Sequence, residues 1–150
     1  MAKKPKINTL VTMYVNTEVS GLSQANIEDH VWMGDSNGDI DNNNAGKVKD
    51  YSTGALPNGN VTWVPAVINI RTAPDDYVLI TDVVMSDDND SKIKISKEPD
   101  KDYPTHVNGK ISTNATNGET FQYKIYFTVY RGTQEGLNLY IDPRIQINTD

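Results

Sequence analysis

The sequence predicts an all-β fold: a single-domain antiparallel β-sandwich, Ig-like or jelly-roll-like, with at most one short helix. Three observations carry this expectation. Wherever hydrophobic residues recur with a clear period, that period is two rather than 3.6. The apolar runs are parted by Asn-Gly and related pairs, whose residues tolerate the backbone of tight turns. The length, 150 residues, is that of one domain. A chain of this size hides roughly 70% of its unfolded surface on folding, so it can hold a core without disulfides. That agrees with a sequence containing no cysteine.

Taken in order, residues 1–6 are expected to be a flexible N-terminal segment before a domain that fills the rest of the 1–150 chain. A first strand is expected over residues 7–15, where Ile7, Thr9, Val11, Met13 and Val15 alternate with Asn8, Leu10, Thr12 and Tyr14. Residues 22–30 are the one stretch that fits a short helix, with Ser20 or Ser23 as its N-cap. Residues 61–70 are rich in the β-branched side chains that suit a pleated surface. The run 77–85 is almost continuously apolar, the pattern of a strand covered on both faces. Lys92-Ile-Lys-Ile-Ser96 alternates with lysines outward, as a protected edge strand does. It is flanked by acidic stretches too polar for a core, so residues 86–104 read as an edge with long surface loops. The strongest strand is 121–130, with Phe121, Tyr123, Ile125, Phe127 and Val129 on one face. The last, 137–147, contains Pro143, which cannot donate to a ladder, so the strand is broken, bulged or at an edge there. Turns are expected at residues 36–38, 57–59, 108–109 and 117–118 and around Gly132 and Gly136.

Charge narrows the partners. Fourteen Lys and Arg against twenty Asp and Glu leave −6, the wrong sign for a nucleic-acid backbone or an anionic membrane surface. The longest apolar run is four or five residues, far short of the ~20 that a spanning helix needs, and the basic start Met1-Ala-Lys-Lys-Pro-Lys6 leads into no apolar leader. A cytoplasmic protein without a membrane-spanning segment or an ordinary secretion signal is expected. The absence of cysteine also removes thiolate zinc sites, iron–sulfur clusters and cysteine nucleophiles.

Among groups that carry chemistry, Asp35-Ser-Asn-Gly-Asp-Ile-Asp41 sets oxygen ligands at Asp35, Asn37, Asp39 and Asp41 with the alternate spacing of a calcium loop. Ile40 and Gly46 stand where an EF-hand loop has its sixth-position glycine and twelfth-position acid, and such residues are equally those of a tight surface loop. Apart from this calcium candidate no cofactor is expected. Asp87, Asp88 and Asp90 read as a solvated acidic loop. No catalytic residue is assigned: His30 and His106 are the only histidines, and Gly34-Asp-Ser-Asn-Gly38 lacks the strand-to-helix setting of a nucleophile elbow. Trp32, Trp63, Tyr51, Tyr103 and Tyr140 offer flat faces for stacking on sugars, with core packing the simpler use of both tryptophans. Tyr126 and Tyr130 fall on the wet face of their strand, which suggests cover by a ligand or another subunit.

The order of motifs resembles the AidA/PixA family of bacterial inclusion body proteins. Ile7-Asn-Thr-Leu-Val-Thr-Met13 is similar to that family's opening strand, and Val31-Trp-Met-Gly-Asp-Ser-Asn-Gly38 resembles its strand running into a D-S-x-G turn. Pro57-Asn-Gly-Asn-Val-Thr-Trp63 and Asp76-Tyr-Val-Leu-Ile80 resemble the central strands. Phe121 to Tyr130, followed by Leu139-Tyr-Ile-Asp-Pro-Arg-Ile-Gln-Ile147, resembles the terminal strands. The resemblance implies a small non-enzymatic bacterial protein acting through self-assembly or a binding surface, as a homo-oligomer or higher assembly, in the cytoplasm or its inclusion bodies. It implies no catalytic residues. Two alternatives stand beside it: a lectin-like carbohydrate-binding module, calcium-dependent through the acidic loop, and a toxin active on invertebrates.

Overall fold

Alternation in the sequence becomes alternation in burial. In a computed structural model, which describes residues 5–37, 51–86, 92–96 and 105–149, the first strand β1 (Asn8–Val15) buries Thr9, Val11, Met13 and Val15 and exposes Asn8, Leu10 and Tyr14. It is followed by β2 (Val31–Asp35), β3 (Ser52–Ala55), β4 (Asn60–Val67) and β5 (Tyr77–Met85). Then come β6 (Ile93–Ile95), β7 (Val107–Ile111), β8 (Thr120–Tyr130), β9 (Leu137–Ile141) and β10 (Arg144–Ile147).

One sheet has the order β2-β1-β4-β7-β6, and the other has the order β3-β10-β8-β5 with β9 also paired to β8. Their inner faces share a single hydrophobic cluster. At its centre the fully buried Trp63 of β4 donates its indole Nε1–H to the Tyr123 hydroxyl of β8 at 2.9 Å, with ring centroids 5.4 Å apart. The all-β sandwich is therefore the architecture found. Strand direction differs from the expectation at two places: β1 runs parallel to β4, and β3 runs parallel to β10, while the other pairs are antiparallel. A period of two is the same in both kinds of ladder, so the pattern of side chains does not record direction.

The apolar run in β5 has a different cause from double cover. A bulge between Ile80 and Asp82 shifts the phase, so Val78 and Ile80 face the core before it and Val83 and Met85 after it. Without the extra residue, Asp82 and Val84 would be turned inward; with it, Val84 is 41% exposed. The break expected at Pro143 is present. Tyr123 donates its N–H to the Pro143 carbonyl at 3.2 Å, and Pro143 has no N–H to return, so the strand divides into β9 and β10 in one register along β8.

Several local expectations shift. Asn108-Gly109 lies inside β7 and not in a turn; a Cβ at Gly109 would stand 2.9 Å from the Trp63 ring, so glycine here makes room for the indole. The 57–59 turn is real, with Asn58 at φ 63°. The short helix shrinks to a 3-10 turn, Ile27–His30, preceded by Asn26 rather than by a capping serine. β6 is an edge strand as expected, with Lys94 exposed, whereas Lys92 lies just outside it and bonds the Asn114 carbonyl and Glu119. In the N-terminal segment Pro5 is buried and the Lys6 N–H donates to Asn37.

Candidate functional site

Of the four calcium candidates, two lie within the described residues. Asp35 ends β2, where one carboxylate oxygen accepts from the Asn37 N–H at 2.9 Å and the other from the Tyr51 hydroxyl at 2.7 Å. The Asn37 side-chain oxygen accepts from Lys6, and its amide donates to Thr9 of β1 and to the Gly54 carbonyl of β3, each at 3.0 Å. This pair brackets the two sheets together at one end. Asp39 and Asp41 lie outside the described residues, as do Asp87, Asp88 and Asp90. Among the described residues no group of three or more His, Asp and Glu side chains forms a metal cluster.

The second candidate pair lies on the outer face of the β5-β8-β9 sheet, and the structure separates its members. Tyr130 stands opposite Tyr77 of β5, stacked with centroids 4.6 Å apart. Tyr126 stands four residues away along β8, opposite Asp82 of β5 on one side and Tyr140 of β9 on the other. Between them the Thr128 hydroxyl donates to the Asn138 side-chain oxygen at 2.7 Å. Strand pleating accounts for the row: residues directly opposite on neighbouring strands share a face, so three distant parts of the sequence meet there.

Around Tyr126 the surface opens into a groove of about 700 Å³, lined by Thr81, Asp82, Val84, Asn138 and Tyr140 beside it. Tyr126 is 36% exposed, and its ring meets Tyr140 at a centroid distance of 5.6 Å. The Lys124 ammonium lies 4.8 Å over the Tyr140 ring, a cation–π contact that holds both groups. Gln24, ahead of the 3-10 turn, fixes the backbone beneath: its side-chain oxygen accepts from the Tyr140 N–H and its amide donates to the Tyr140 carbonyl, both at 2.9 Å. A side chain thus substitutes for a neighbouring strand on the far edge of β9.

The groove offers a flat apolar ring, a carboxylate, an amide and a hydroxyl, a set that stacks and hydrogen-bonds a small molecule. Sequence reasoning found Tyr126 by its place on a wet face. It missed Asp82, whose orientation depends on the bulge, and Gln24, which lies 116 residues from its partner. Trp63 is core, as expected, while Trp32 is half-buried on the outer face of β2, opposite Tyr14. His30 closes the 3-10 turn and His106 precedes β7.

No family model matches the chain, and no curated protein matches it in sequence. The solved structures are more informative. The inclusion body protein PixA from Burkholderia cenocepacia J2315 superposes with a TM-score of 0.64 over 93% of this chain and 94% of that one, at 9% identity. The chain folds like PixA. A nucleoside hydrolase-related hypothetical protein from Saccharophagus degradans, described as associated with carbohydrate metabolism, is similar over 72% of this chain and 24% of its own. Its TM-score is 0.38 at 17% identity, too partial a likeness to assign a fold or an activity. The match to PixA runs nearly end to end, so both sheets belong to the shared fold. At 9% identity it says nothing of which side chains line the groove. No helix among the described residues is long and apolar enough to cross a membrane.

Proposed function

We propose that this chain is a non-enzymatic, cytoplasmic protein of the AidA/PixA type that works by presenting a binding surface, the outer face of β5, β8 and β9. The fold it shares with PixA and the order of motifs along its sequence support the family; the groove beside Tyr126 supports the surface. That groove is the observation on which the reading rests. Large aromatic side chains held open on a sheet face, with polar groups beside them, are the usual build of a recognition site. The reading assigns no catalytic group and no cofactor. Asp35 and Asn37 are tied into the bracket between the two sheets, and no metal-holding cluster forms among the described residues, so melting curves in calcium and in chelator are expected to coincide; a calcium-dependent rise in Tm would revive the acidic loop as a site.

The test immobilises the native protein, a Tyr126→Ser variant and a Lys94→Ser control on the opposite sheet. Each is exposed to panels of oligosaccharides, of short peptides and of the protein itself. A response in any panel that the Lys94→Ser protein keeps and the Tyr126→Ser protein loses supports the surface. Equal responses from all three proteins, or none from the native one, would overturn it. A self-response that depends on Tyr126 would make a second copy the partner at this face.

A further inference from the structure

We propose that the groove beside Tyr126 takes a neutral saccharide, with a pyranose ring lying on the tyrosine. The inference rests on the binding-surface reading above and specifies its ligand. A pyranose has one apolar face of C–H groups and a rim of hydroxyls, each both donor and acceptor, so its site needs a flat ring surrounded by donors and acceptors of both kinds. Those groups are present. Tyr126 supplies an exposed ring, and it stands in one cross-strand row with Asp82. The Asp82 carboxylate accepts the Val83 N–H through one oxygen at 2.9 Å, and carboxylate oxygens accept more than one hydrogen bond. Asn138 accepts the Thr128 hydroxyl through its side-chain oxygen and adds two amide N–H donors. Thr81 adds a hydroxyl at the same wall.

The charges point the same way. An anionic ligand would face Asp82, while the cation at this place, Lys124, sits over the Tyr140 ring. Among the described residues that line the groove a cation would find one carboxylate, too few for a metal. A neutral polyol is repelled by neither. The volume, about 700 Å³, falls within the range of roughly 300–1,000 Å³ typical of small-molecule sites. Preorganisation favours it too: Tyr140 packs against Tyr126 and carries Lys124 over its ring, while Gln24 fixes the Tyr140 backbone, so part of the groove wall is set before a ligand arrives.

The experiment measures thermal melts and calorimetric titrations with cellobiose, chitobiose, mannobiose and lactose at millimolar concentration, for the native protein and for Tyr126→Ser and Asn138→Ala. At least one disaccharide is expected to raise the native Tm by about 2–4 °C. Tyr126→Ser should weaken that sugar at least tenfold, and Asn138→Ala more modestly, while each variant melts cooperatively without sugar. Equal binding to native and Tyr126→Ser proteins would place the sugar elsewhere and overturn the inference. If no disaccharide binds while Tyr126-dependent peptide binding or self-association persists, the saccharide is excluded and the surface stands. Loss of every Tyr126-dependent response removes both.

Discussion

Tyr51 and Tyr123 are set apart from the tyrosines of the groove by where their hydroxyls go. Burial, above all, lifts the Tyr51 hydroxyl far above its ordinary range; the facing Asp35 carboxylate adds to this, and the Thr53 hydroxyl, donating to it at 3.1 Å, opposes it. Burial also lifts Tyr123, aided by the Asp35 charge and opposed by the Trp63 N–H. An acid whose folded pKa is raised gives up its proton more easily once unfolded, so its share of stability is intact below the unfolded pKa, about 10, and is lost as pH rises above it. Base titration followed by tyrosinate absorbance should therefore show Tyr51 and Tyr123 ionising together with unfolding; ionisation of either in the folded protein would contradict their burial. Tyr123→Phe leaves the buried Trp63 N–H without its acceptor and is expected to cost about 1–3 kcal/mol in chemical denaturation. That Trp63 is core was legible from its strand. That it reaches a hydroxyl on the other sheet was not, because no local pattern encodes a contact across 60 residues.

At the scale of the element, legibility follows from what alternation can and cannot express. β8 was readable residue by residue because its inward and outward sets differ in polarity along its whole length. The division at Pro143 was readable because a missing donor is a property of the residue itself. The bulge in β5 was hidden, since both phases of an almost continuously apolar run look equally buried; only Asp82 hinted that one phase is worse. Parallel pairing was hidden for the reason of period already given. The clamp on β9 yields a prediction of its own. Gln24→Ala removes two hydrogen bonds from the outer edge of that strand and leaves its pairing with β8 untouched. Amide exchange at Tyr140 is expected to quicken about fivefold, as a loss of roughly 1 kcal/mol implies. Unchanged exchange at Tyr140 would mean that the edge is held by something other than Gln24.

For the whole molecule, the single cluster shared by the two sheets means that neither sheet keeps a core when the other leaves. Unfolding in urea is expected to be one transition, coincident by far-UV circular dichroism and tryptophan fluorescence, with an m-value of about 1–3 kcal/mol/M. Two separated transitions would show that the sheets are independent units.

The parallel pair of β3 with β10 sets an order of events during synthesis. The ladder of Ser52–Ala55 is completed by Arg144–Ile147, which the ribosome makes roughly 90 residues later. At about 5–20 residues per second, the early strand waits roughly 5–20 s for the segment that separates it from β8. From the completion of β8 at Tyr130 until Ile147 is made, each nascent copy carries an unfilled place between β3 and β8. The same strand of a neighbouring chain would fit that place, so the pace at which residues 131–147 are made bears on whether a chain closes on itself or on its neighbour.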